Sequence, residues 1–158
     1  TDLALNLMLA GLLERRNDIE GAIKLYEEQL LATPDALIIV NNLASLITDY
    51  RNDADSLARA ANLAKRLNGV DVPQFGDTLG WIAYRQGDYR SALQYLENTV
   101  AKLPNLALVR YHLAMTYVAL NDSAKATEQF KKAEALARKD DPLLQQINSQ
   151  LNKLSANP

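Results

Sequence analysis

The feature that most constrains this chain is a recurrence every 34 residues. Stepping forward 34 positions from Leu79-Gly80 reaches Leu113-Ala114, and from Gly87-Asp88 it reaches Asn121-Asp122. The same step takes Ala92 to Ala126, Leu96 to Phe130 and Thr99 to Ala133. The start of the chain fits the same spacing with Leu9, Ala10, Asn17, Asp18, Ala22, Tyr26 and Pro34. A period of this length marks one supersecondary unit that cannot bury its apolar face alone and must stack on copies of itself.

The pattern has a local physical reading. Each unit is two antiparallel helices joined by a tight turn. Small residues (Ala10, Ala44, Gly80 and Ala114) let the first helix approach the second, and Ala22, Ala92 and Ala126 do the same from the other side. Tyr26, Leu96 and Phe130, four positions on, fill the gap between successive units. Asn17-Asp18, Gly87-Asp88 and Asn121-Asp122 pair a residue tolerant of positive φ with an N-cap for the second helix. Pro34 and Pro104 stop the second helices. This turn also accounts for the sequon-like Asn121-Asp122-Ser123. The second unit is two residues longer. Its extra residues fall either in the inter-helix turn or near Asn68–Val72.

The expected helices are 2–15, 18–32, 35–50, 54–68, 73–86, 88–102, 105–119, 122–139 and 142–154. In the last, Leu144, Ile147, Leu151 and Leu154 form one apolar stripe against a polar face, as a terminal capping helix requires. The first carries Leu3, Leu5, Leu7, Met8, Leu9, Leu12 and Leu13 nearly all the way round. The chain therefore reads as the C-terminal end of a longer array, with self-association through helix 2–15 expected when that face is exposed.

These residues resemble the tetratricopeptide repeat (TPR) over nearly the whole chain. The resemblance implies an all-α fold: a right-handed superhelix (α-solenoid) of four helix-turn-helix repeats, 3–36, 37–72, 73–106 and 107–140, plus a capping helix at 142–154, in a single domain over 1–158. A narrower similarity rests on Asn41-Asn42-Leu43-Ala44, Leu63-Ala64-Lys65-Arg66-Leu67, Asp77-Thr78-Leu79-Gly80-Trp81, Tyr84-Arg85-Gln86-Gly87-Asp88-Tyr89 and Val109-Arg110-Tyr111-His112-Leu113-Ala114. It is to the C-terminal repeats of bacterial TPR lipoproteins of PEP-CTERM/exosortase export and exopolysaccharide production. That similarity implies the periplasm or cell envelope, with the cytoplasm as the alternative.

Composition removes most chemistry. The chain has no Cys, so it lacks a thiol nucleophile, disulfides and zinc thiolates. His112 is the only His and has no evident nucleophile to serve as base, and one His cannot make a zinc site. Glu27-Glu28 sit mid-helix and point apart, while Asp53, Asp55, Asp140 and Asp141 precede helices, where capping explains them. Gly76-Asp-Thr-Leu-Gly80 reads as close helix packing, and no glycine loop cradles phosphate. Net charge is −2, with seven basic and eleven acidic residues over 1–72 and ten basic and eight acidic over 73–158. Neither half carries the footprint of a nucleic-acid binder. The longest apolar run, Leu3–Leu13, is too short to span a bilayer. No catalytic residue, metal or cofactor is expected.

What remains is a binding surface. The resemblance places the first helices on a concave face. There Leu7, Gly11, Asn41, Ser45, Asp77, Trp81, Tyr111 and Met115 point into the groove, with Glu14, Thr48, Tyr84 and Val118 one turn further on. Asn42, Thr78 and His112 neighbour it. Trp81, Tyr84, Tyr111 and Met115 form an aromatic-apolar patch, and Asn41, Asn42, Ser45 and Asp77 supply hydrogen bonds, a composition suited to peptide recognition. The competing reading buries Trp81 and Tyr84 between helices. The Lys/Arg clamp of chaperone-binding TPR domains is missing, since Leu7, Gly11, Asn42, Gln74 and Thr78 occupy its positions. The expected function is a non-catalytic scaffold for a protein or peptide segment. The alternative is a regulatory module reading a small molecule or sugar through Trp81 and Tyr84.

Overall fold

The computed structural model describes residues 2–156, and all regular structure among them is helical. The helices are α1 (Leu3–Arg15), α2 (Ile19–Ala32), α3 (Leu37–Tyr50), α4 (Ala54–Ala64), α5 (Pro73–Arg85), α6 (Tyr89–Lys102), α7 (Ala107–Ala119), α8 (Ser123–Leu136) and α9 (Pro142–Ala156). A 3-10 turn, Lys65–Leu67, extends α4. They pack in consecutive pairs as tetratricopeptide repeats: α1 on α2, α3 on α4, α5 on α6 and α7 on α8, with α9 against α8. The chain divides into two compact units, one ending at Val70 and the other beginning at Asp71.

The turn chemistry operates as the sequence implies. Asn17 and Asn121 lie at φ 60° and 61°, and Gly87 at 82°, the left-handed backbone that ends a helix. The Asp that follows each caps the next helix. Oδ1 of Asp18 accepts from the Gly21 amide at 3.0 Å, that of Asp88 from Ser91 at 3.1 Å and that of Asp122 from Lys125 at 3.0 Å. Asp53 caps α4 in the same way, at 2.8 Å from the Ser56 amide. Its turn is nevertheless different: Arg51 is extended, at φ −112° and ψ 135°, and Asn52 has no positive φ.

The two extra residues of the second repeat are divided between the two expected places. Ala10, Gly80 and Ala114 each precede their N-cap Asp by 8 positions, whereas Ala44 precedes Asp53 by 9, because α3 runs one residue longer than α1, α5 and α7. The other lies in 68–72, which has one residue more than 33–36 and 103–106. Two expected boundaries move. The helix expected over 54–68 tightens into the 3-10 turn after Ala64, a common end to a helix, and both Ala64 and Leu67 are buried. The helix expected over 122–139 stops at Leu136, where Ala137 turns extended.

The second unit's core joins Leu96, Val109, Leu113, Phe130 and Ile147. On α9 the stripe against this core starts at Leu143, not Leu144: Leu143, Leu151 and Leu154 flank the buried Ile147. In the first unit, Ala10, Ala22, Ile39, Val40, Leu43 and Ala44 are fully buried. On α1, Leu5, Met8, Leu9 and Leu12 form a stripe that is 44–67% exposed. Of their counterparts 34 positions on, Ile39, Leu43 and Leu46 are buried on α3, which follows and packs on α2.

Candidate functional site

The candidate residues fall into two groups, one in each unit. In the second unit, α5 carries Asp77, Trp81 and Tyr84 at i, i+4 and i+7, one face of a helix. Beside this face, α5 lies close on α6. A Cβ on Gly80 would stand 2.6 Å from Leu96 Cγ, and one on Gly76 would stand 2.3 Å from the Thr99 hydroxyl.

Trp81 and Tyr84 stack with ring centroids 4.6 Å apart and planes 5° from parallel. His112 of α7 adds a third ring on Trp81, at 4.0 Å and 13°. Nδ1 of His112 is 2.9 Å from Asp77 Oδ1, so the carboxylate fixes the imidazole in its stack. His112 is 4% exposed and Tyr111 is buried against Phe130, at 5.8 Å between centroids. Burial also raises the pKa of both Tyr84 and Tyr111, which are therefore neutral near pH 7. Trp81, Tyr84 and Met115 stay partly exposed. The result is a partly exposed aromatic ladder backed by buried rings. Aromatic stacking of this kind suits a planar or apolar side chain.

In the first unit, Asn41, Asn42 and Ser45 of α3 line a hollow of about 270 Å³ together with Glu14, Tyr26 and Asp49. A hydrogen-bonded chain runs along it. Asn41 Nδ2 donates to Asn42 Oδ1 at 3.2 Å, Asn42 Nδ2 donates to the Tyr26 hydroxyl at 3.3 Å, and Tyr26 donates to Glu14 Oε1 at 3.2 Å. Burial, then the charge of Glu14, pushes the Tyr26 pKa up to about 12. Burial raises that of Glu14 as well; its Tyr26 hydrogen bond opposes the rise and nearby Asp49 adds to it. Asn41 is 9% exposed, and its Oδ1 is buried with no protein partner. A buried acceptor left in this way costs about 1–3 kcal/mol.

Tyr26 is the residue that the sequence reading took for packing alone. It does pack, at 3% exposure, but it is also the hub of this chain. A signal was present: Leu96 and Phe130 hold the same register position without a hydroxyl, and a buried tyrosine hydroxyl needs a partner. Thr48, expected in the groove, is instead fully buried and donates to the Ala44 carbonyl at 2.7 Å. Thr78 is buried as well. Among the described residues no three His, Cys, Asp or Glu side chains gather where they could hold a metal ion. No described helix is long and apolar enough to cross a membrane.

Two family models, each described as tetratricopeptide repeat, match residues 4–38 and 83–151. The chain is a tetratricopeptide-repeat protein. A TPR repeat-containing protein of Pseudomonas aeruginosa is 30% identical to it over 104 residues, 66% of this chain, and the chain spans only 18% of that relative's length. Solved TPR structures share the fold. A thermophilic TPR protein of Thermus thermophilus superposes with a TM-score of 0.70 at 18% identity, over 94% of this chain and 78% of its own. MamA of Desulfovibrio magneticus gives 0.67 at 20%, over 97% and 83%. YrrB, described as a TPR protein with an unusual peptide-binding site, gives 0.61 at 18%, over 96% and 75%. TPR proteins are protein- and peptide-binding scaffolds, typically without catalytic activity.

Proposed function

We propose that this TPR protein is a non-catalytic scaffold that holds a peptide or protein segment against its first helices, in bacterial cell-envelope assembly or in exopolysaccharide or protein export. The aromatic ladder carries the binding reading. Trp81 and Tyr84 are partly exposed, while His112 behind them is buried and held by Asp77. Rings fixed before binding lose little side-chain entropy when a partner docks, which is what an anchor residue needs. The envelope setting is supported by the strings Asn41-Asn42-Leu43-Ala44 and Thr78-Leu79-Gly80-Trp81, which resemble the envelope TPR lipoproteins.

The test is a pull-down from the source organism's envelope fraction, with captured proteins identified by mass spectrometry and then titrated. Trp81→Ala is expected to weaken capture by roughly 1–4 kcal/mol, as an interface hot spot does. Thermal melting of the same variant is the control. A variant that melts far below the wild type yet binds normally, once corrected for its folded fraction, would place Trp81 in packing and the binding site elsewhere.

A further inference from the structure

We infer that the hollow of the first unit receives the basic side chain of a bound peptide, a lysine ammonium or an arginine guanidinium. This inference rests on the peptide-scaffold reading and names the chemistry that one part of the surface selects.

The direction of the hydrogen bonds sets what the hollow can accept. Glu14 ends the chain, and an ionised carboxylate only accepts. Tyr26 must therefore donate to Glu14, 3.2 Å away, which leaves its oxygen to accept from Asn42 Nδ2. The Asn42 carbonyl then faces Asn41 Nδ2, which sets the Asn41 amide with its own oxygen left over. Two asparagine orientations that are otherwise ambiguous are fixed by one carboxylate. The donors point along the chain toward Glu14, and the unmatched group at its other end is an acceptor, Asn41 Oδ1.

Along the hollow that Asn41 lines, the charged side chains have one sign. Glu14 and Asp49 both line the hollow, which has no Lys, Arg or His among its lining residues. A carboxylate or phosphate would meet two acids and an orphan acceptor there. A donor cation would meet charge-assisted partners, and the Asn41 amide, once turned toward the hollow, would offer it the buried Oδ1 as well. The raised pKa of Glu14 agrees with this, because an entering cation favours the ionised carboxylate that burial disfavours. The wider surface is complementary too, with eleven acidic and seven basic residues over 1–72.

The test is an amide-resolved NMR titration of the full chain with three pentapeptides, acetyl-Ala-Ser-X-Ser-Ala-amide, where X is arginine, lysine or norleucine. The arginine and lysine peptides are expected to give saturable shifts in the Asn41 side-chain amide and in backbone signals of 41–49. The norleucine peptide should bind at least about tenfold more weakly. Glu14→Gln, which keeps side-chain volume and an acceptor for Tyr26, should lose that preference. Asp49→Asn, on an exposed residue, should reduce it and serves if the first variant does not fold. Equal binding of the three peptides, absence of saturable shifts at 41–49, or a preference unchanged in both variants overturns the assignment. Putrescine binding as tightly as the basic peptides overturns it in favour of a free diamine. Silent peptides with a Trp81-dependent pull-down remove this pocket alone, whereas saturable basic peptides with no captured partner remove the scaffold reading.

Discussion

Glu14 lowers the stability of the fold in its ionised form. Its pKa is raised from the ordinary 4.5, first by burial. A raised pKa means that the folded state holds the proton more tightly than the unfolded chain does. The stability this group contributes is therefore fully present below the unfolded value and is lost as pH rises through the folded one. Glu14→Gln removes that dependence. The variant is expected to be more stable than the wild type at pH 7, by less than a fully buried acid would give, because solvent screens this half-buried group. The difference should vanish below pH 4.5. Urea titrations of both proteins across this range measure it, and a variant less stable at pH 7 would show that Glu14 is structural. At this scale the sequence was legible in part. Asn41 and Asn42 stood out as polar residues inside the apolar first half of α3, and Trp81 and Tyr84 stood out by their i, i+3 spacing. The partner of each was not visible, because His112 and Tyr26 come from other helices and each already had a sufficient local explanation.

Among elements, the approach of α5 to α6 separates two glycines with opposite effects. Gly80 stands where other repeats have Ala10, Ala44 and Ala114, and here the neighbouring helix leaves no room for that methyl group. Gly80→Ala brings a Cβ to 2.6 Å from Leu96 Cγ, and Leu96 is fully buried. The expected loss is about 1–3 kcal/mol from overpacking, which exceeds the propensity gain of about 1 kcal/mol. Gly11 in α1 has nothing within 4 Å of a Cβ, so Gly11→Ala should raise stability by up to about 1 kcal/mol. Thermal melts of the two variants give opposite shifts, and shifts of the same sign would contradict the packing argument. The exposed stripe of α1 leads to a second expectation. The protein should self-associate in light scattering, and changing Leu5 and Met8 to Gln should return it to a monomer. A wild-type monomer at high concentration would show that the stripe tolerates water. Helix positions were readable because caps, small residues and prolines repeat in register. The break after Leu136 was not, since no Gly or Pro marks Ala137, and neither was the division of the two extra residues, since both gaps lacked a fixed pattern and could absorb either.

At the scale of the molecule, the main contacts between elements join neighbours in sequence or next neighbours, as α3 does with the 3-10 turn and α5 with α7. A chain with such local contacts needs little loop closure to fold, so its units form quickly and each depends on the repeat beside it. The segment 68–72, which joins the two units, adds a liability of another kind. It contains Asn68-Gly69, both exposed, with Gly69 at φ 76°. Glycine has no side chain to shield its backbone nitrogen. That nitrogen can attack the preceding carboxamide, expel ammonia and close a succinimide, which water opens to aspartate or isoaspartate. Storage at mildly alkaline pH should therefore convert Asn68 ahead of the asparagines held in helices, adding one negative charge and, in the isoaspartate form, an extra backbone carbon. Peptide mapping with mass spectrometry follows the conversion, and Gly69→Ala should slow it. The joint between the units is thus the place where an ageing sample first ceases to be chemically uniform.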